Sequence, residues 1–221
     1  MDRKVSNLLR TTLSVLESLE VPYAIGGAVA MAARGFERAT KDVDVFFIGD
    51  EGQAELLAAF REAGLHVSEF HEPFHYGVFP RRITDPDVRV DLLFTWDPAE
   101  IEAINTATPA TLGALAFRAM TASAVAAVKF EADEGVARAK DQGDVRRLLR
   151  LGLAKPDEVV QLLTRAQRPH REVAAFAAYA REVLGPTRRA PSRPAKRPSG
   201  RKKSAPARPK KKAASKKKQK R

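Results

Sequence analysis

The sequence predicts an α+β protein: a small mixed β-sheet with flanking helices, a helical C-terminal part and a disordered basic tail. Three observations predict it. Apolar residues switch between helical and strand spacing through the first half of the chain. From about residue 121 the pattern is helical alone. From Pro186 to Arg221 there is no Leu, Ile, Val, Met, Phe, Tyr or Trp, while 17 of the 39 Lys and Arg fall there.

Each element has its own mark. Val5, Leu8, Leu9, Leu13, Leu16 and Leu19 recur at helical spacing, and Pro22 stops that helix. Tyr23-Ala24-Ile25 is a short strand running into Gly26-Gly27, and Ala28 to Arg34 is a short helix. Val43 to Ile48 is a strand by its β-branched and aromatic content. Glu51 to Ala63 is a helix ending at Gly64. His66–Phe70, Gly77–Phe79 and Val88–Phe94 are further strands, the last the most apolar. Ala110 to Phe117 suits either a strand or a helix. Thr121 is a candidate N-cap for a helix to about Glu131. Asp141 to Arg150 is the next helix, closed by Gly152; Pro156 opens another, and Pro169 precedes the last, His170 to Leu184. There is no internal repeat. The expected organisation is a core over 1–120, a helical subdomain over 121–185 and a tail over 186–221.

The charge is divided the same way. The chain of 221 residues has a net charge of +12, yet the tail carries none of the 27 acidic residues, so residues 1–185 carry a net −5. A segment with nothing apolar to bury cannot offset its ordering entropy, and its like charges repel. Polycations bind phosphate backbones through counterion release, without sequence specificity. No aromatic is interleaved, so base stacking is not offered. A nonspecific solubilising extension is the alternative. Zero Cys excludes disulfides, thiol chemistry and Cys-ligated zinc. Glu17 and Glu20 interrupt the N-terminal apolar stretch, which argues against a signal peptide, and no apolar run is long enough for a membrane helix. A cytoplasmic protein that does not engage a membrane is expected.

The chemistry-bearing pattern is Gly26-Gly27, then Asp42-Val43-Asp44, then Asp91 in Arg89-Val90-Asp91-Leu92-Leu93-Phe94. Residues i and i+2 of a strand face one way, so Asp42 and Asp44 share a face while Val43 and Val45 enter the core. Neighbouring carboxylates raise each other's pKa unless a cation lies between them. A hard divalent ion is the natural occupant. Three such acids on adjacent strands suit two Mg²⁺ ions and in-line phosphoryl or nucleotidyl displacement. Gly26-Gly27, between a strand and a helix, lets backbone N–H groups approach a phosphate.

The run YAIGGAVAMAARGFERATKDVDVFF resembles the first motif of the minimal nucleotidyltransferases of the polymerase-beta superfamily, and is closest in pattern to the AbiEii/AbiGii toxin-like branch. The matching positions are Gly26, Gly27, Arg38, Thr40, Asp42 and Asp44; RVDLLF, with Asp91, resembles the second motif. Lys129, Lys140, Asp141 and Asp144 resemble the branch's later signature, a Lys on one helix and a K-D-x-x-D helix start. The resemblance spans about residues 20–150. It implies transfer of a nucleoside monophosphate from an NTP, ATP among the candidates, to an acceptor hydroxyl, with pyrophosphate released. Asp42, Asp44 and Asp91 would hold Mg²⁺, and Asp91 would also assist the attacking hydroxyl. Gly26 and Gly27 would hold the triphosphate with Arg38 and Thr40, while Lys129 and Lys140 would neutralise its charge. The toxin branch implies an RNA acceptor such as tRNA and a partner antitoxin. Many relatives carry Ser or Thr after the glycine pair; this chain has Ala28.

Other readings of these residues stay open. Asp91 could pair with Arg89 or Arg82 at the core edge, and Asp141 and Asp144 could simply favour a helix N-terminal dipole. His71 and His75 have metal-like spacing, but Pro73 lies between them and loop or hairpin positions suit them better. A catalytically degenerate body delivered to nucleic acid by the tail is the rival function, and Ala28 is the feature that favours it. A small-molecule acceptor, with the tail incidental, is a third reading.

Overall fold

The computed structural model describes residues 3–36, 40–70, 74–82, 87–130 and 136–185. Arg38, His71 and the tail from residue 186 therefore lie outside the described residues. The described residues form one compact unit.

The elements run in the order α1 (Arg3–Ser18), β1 (Ala24–Ile25), α2 (Gly27–Ala33), β2 (Asp42–Ile48), α3 (Gln53–Glu62), β3 (His66–Glu69), β4 (His75–Phe79), β5 (Arg89–Thr95), α4 (Pro98–Asn105), β6 (Thr108–Leu112), β7 (Leu115–Ala119), α5 (Ala122–Lys129), α6 (Val136–Arg150), α7 (Pro156–Arg165) and α8 (His170–Leu184). The protein is α+β, and its seven strands form one mixed sheet in the order β3-β4-β5-β2-β1-β7-β6. β2 and β5 run parallel at its centre, β1 and β7 are also parallel, and the other pairs are antiparallel.

The central pair builds the core. Val43, Val45, Val90 and Leu92 alternate out of β2 and β5 and are fully buried. α1 buries its stripe of Val5, Leu8, Leu9, Leu13 and Leu16 against β2, β5 and α3. Each such side chain stabilises the fold by about 1.5–3 kcal/mol. α5 is small-residue-rich and buried over Ala122–Ala127, which lets α2, α4, α6 and α7 pack closely around it.

Three elements depart from the sequence reading. α4 is absent from that reading, although Asp97 caps it by accepting from the Ala99 amide at 2.8 Å and the Glu100 amide at 3.1 Å, with Pro98 next. The ambiguous Ala110–Phe117 stretch is a hairpin, β6 and β7, turning at Gly113 in the left-handed region (φ 61°). α6 starts five residues before Asp141, so Asp141 and Asp144 lie inside it rather than at its start. The N-terminal dipole therefore does not account for them; their partner is Lys129. Among the described residues no helix is long and apolar enough to cross a membrane.

Candidate active site

The parallel register of β2 and β5 sets Asp42 beside Arg89 and Asp44 beside Asp91. Neighbouring strands lie roughly 4.8 Å apart, so two carboxylates and a guanidinium share one small patch of the sheet with Asp42. Thr40 fixes Asp42: its hydroxyl donates to the Asp42 carboxylate and also lies 3.0 Å from the Asp42 carbonyl. Asp91 is buried (4% exposed) and accepts a hydrogen bond from Arg89 Nε at 2.7 Å. His75 Nε2 stands 3.8 Å from the same oxygen.

Asp44 is the perturbed member. Burial pushes its carboxyl up to about 6, and the neighbouring Asp42 and Asp91 push the same way; Lys129 and Arg89 pull it down without prevailing. Arg89 is raised, chiefly by its bond to Asp91. This is the electrostatic state of a carboxylate cluster short of positive charge.

Gly27 completes the wall around Asp44. Its φ of 51° is in the left-handed region, and a Cβ there would overlap the Asp44 carboxylate. A Cβ on Gly26 would lie 2.5 Å from the Phe46 ring and 3.3 Å from Met120 Sδ. The Gly26 amide donates to the Asp44 carbonyl at 2.9 Å, tying β1 to β2. The first bond inside α2 runs from the Ala30 amide to the Gly26 carbonyl, so the amides of Gly27, Ala28 and Val29 precede the helical ladder.

Lys129, at the end of α5, bonds the Asp141 carboxylate and lies 3.3 Å from Asp144, which is itself buried. Its charge reaches Asp44. The structure thus gathers Gly27, Thr40, Asp42, Asp44, Asp91 and Lys129, with Gly26 behind them. Lys140 is exposed on α6. Sequence reasoning treats Arg89 only as an alternative partner of Asp91, and gives His75 no place beside it. The R-x-D spacing on a strand is a usable signal for Arg89, since it puts both side chains on one face.

The donor set is all oxygen, which suits a hard cation such as Mg²⁺. Among the described residues no group of three His, Asp or Glu forms a ready-made metal cage. The fit rests on the chemistry of Asp42, Asp44 and Asp91 and on the raised Asp44, whose penalty a divalent ion would remove.

The chain is similar to several solved structures. The antibiotic-resistance factor ANT(2'')-Ia shares 19% identity over 82% of this chain and 94% of its own, with a TM-score of 0.48. An antigenic nucleotidyltransferase-like protein from Paracoccidioides brasiliensis shares 17% identity over 79% of this chain and 92% of its own, TM-score 0.49. The lincosamide antibiotic adenylyltransferase LnuA, bound to lincomycin, shares 11% identity over 63% of this chain and 95% of its own, TM-score 0.42. No family model and no curated protein matches the chain. Resemblance at this level leaves function to be read from the site itself.

Proposed function

We propose that the chain is a Mg²⁺-dependent nucleotidyltransferase that moves a nucleoside monophosphate from an NTP to an acceptor hydroxyl. The observation that carries this reading is the gathering of Asp42, Asp44 and Asp91 on two parallel strands, with Gly27 held against Asp44. In the reaction the acceptor oxygen bonds the α-phosphorus, the bond from that phosphorus to the bridging oxygen breaks, and pyrophosphate leaves. Asp42, Asp44 and Asp91 would hold two Mg²⁺ ions, which supply the positive charge that phosphoryl transfer needs. Thr40 orients Asp42 through its hydroxyl bond. Asp91 would take the acceptor proton, oriented by Arg89. The amides of Gly27, Ala28 and Val29 would receive the phosphates, and Arg38 would add its charge to theirs. Lys129, oriented by Asp141 and Asp144, would add charge next to Asp44, and exposed Lys140 would add a further positive charge.

The acceptor we favour is RNA, tRNA included. The support is the tail of 17 cations and no acids attached to a body of net −5, which alone would repel RNA. Cytoplasmic action as the toxin of a toxin–antitoxin pair, neutralised by an antitoxin protein, follows from the motif resemblance. Ala28 supports the rival reading of a degenerate, nucleic-acid-binding body, because no hydroxyl meets the phosphate there.

The experiment is transfer of label from each α-³²P NTP, with Mg²⁺, to total RNA, tRNA, the protein itself and an aminoglycoside, alongside Asp44→Ala. Label on RNA that vanishes in Asp44→Ala is the expected result. Label only on the aminoglycoside moves the acceptor to small molecules. No label on any acceptor, from folded protein that binds RNA, establishes the degenerate reading.

A further inference from the structure

A cavity lies away from the carboxylates. It is open to solvent and has a volume of about 400 Å³ between the start of α1, the end of α3, residues 80–82 after β4 and Val88 before β5. Asp42, Asp44 and Asp91 do not line it. Its floor is apolar: Leu8 and Val88 are buried core residues, and Leu65 packs against them. Its rim carries Lys4, Arg81 and Arg82. No Asp or Glu is among the described lining residues. Arg81 and Arg82, both exposed, stand beside this floor as its guanidinium pair, while Lys4 has a partner of its own.

Small-molecule sites have this volume and this balance: mostly apolar walls with a few polar groups that fix orientation. An alkyl chain or ring laid on Leu65, with the buried Leu8 and Val88 beneath it, is favoured mainly by taking its own apolar surface out of water. Arg81 and Arg82 are consecutive on the rim, and a guanidinium takes a carboxylate or phosphate with charge-assisted hydrogen bonds stronger than neutral ones. A wholly apolar ligand would make no use of the guanidiniums, and a bare anion would leave the floor wet. We infer that this cavity binds a small amphiphilic anion: one carboxylate or phosphate at Arg81 and Arg82, and an apolar body over Leu8, Leu65 and Val88. The site is separate from the carboxylates, although Val88 on its floor directly precedes Arg89, which bonds Asp91.

The test uses the full chain with methyl-labelled Leu and Val, followed by NMR. The probes are octanoate, octyl phosphate, octanol, acetate and inorganic phosphate. Octanoate or octyl phosphate is expected to shift the Leu8, Leu65 and Val88 methyls saturably, and the tighter of the two names the anion class. Octanol should bind about tenfold more weakly or worse, and acetate and phosphate should leave these methyls unmoved. Arg81→Glu with Arg82→Glu should weaken the preferred probe by about tenfold, while the Leu148 and Leu149 methyls, buried on α6, keep their positions as a check of the fold. Equal binding of octanol and octanoate overturns the inference. So does the absence of shifts at these three methyls, or binding unaltered by the charge reversals in folded protein. None of these readouts depends on NTP chemistry, so the transfer activity can fail without touching them.

Discussion

An aspartate pressed by burial and by two other carboxylates destabilises the metal-free fold. Asp44 titrates near 6 when folded, against an ordinary 3.8. Between those values the folded chain holds more protons than the unfolded one, so stability falls as pH rises through the window. Above about pH 6 the penalty is complete, on the order of 3 kcal/mol. Asp44→Asn is therefore expected to stabilise the EDTA-treated protein by about 1–3 kcal/mol at pH 8, and the gain should vanish by pH 4. Urea denaturation at the two pH values checks this; an equal gain at both removes the electrostatic explanation. Gly27→Ala should cost about 1–3 kcal/mol through its positive φ and push Asp44 out of place. In an Asp44→Ala background the overlap is gone, so a double-mutant cycle should show the Gly27→Ala cost reduced. Asp42 and Asp44 were legible as a pair because alternation on a strand is enough to align them, and Asp91 was drawn to them by the resemblance of RVDLLF to the second motif. The role of Arg89 was not legible, because it depends on which strand lies beside β2. Nor was the grip of Asp141 and Asp144 on Lys129, which joins two separate helices.

At the scale of elements, α2 is held in place from its far end. The Arg34 guanidinium donates to the Thr108 carbonyl at 3.2 Å and the Ala119 carbonyl at 2.9 Å, with the Met120 carbonyl at 3.4 Å. These acceptors bracket the β6–β7 hairpin, so a single side chain ties the helix that carries Gly27 to the sheet's edge. Arg34→Met is expected to cost about 2 kcal/mol and to speed amide hydrogen exchange in β6 and β7 above that in β2 and β5. Uniform exchange across the sheet would remove this role. The sequence marked α1, β2, β5 and α8 well, because long periodic apolar runs leave little choice. It hid α4, whose eight residues carry little periodicity. It left the hairpin undecided because Ala and Thr suit either state, and only the turn at Gly113 separates the two strands. The start of α6 was hidden for a related reason: Val136-Ala137-Arg138-Ala139 has no cap signal.

At the scale of the whole molecule, charge is partitioned between an acidic body and a cationic tail. Removing residues 186–221 should weaken RNA binding and flatten its dependence on salt, since the log–log slope falls by about 0.7 for each phosphate on a single strand that is no longer neutralised. Filter binding at several salt concentrations reads this; an unchanged slope would assign RNA binding to the body. Divalent-ion binding is required by the proposed reaction whatever the acceptor, and Asp42, Asp44 and Asp91 are its proposed ligands. The most direct measurement is Mn²⁺ binding to the full chain by EPR, comparing the native protein with Asp44→Asn and with Asp157→Asn, an exposed acid on α7. The expected result is tight binding that falls about tenfold or more in Asp44→Asn and is unchanged in Asp157→Asn. Equal affinity in the native protein and Asp44→Asn would contradict a metal centre at these carboxylates.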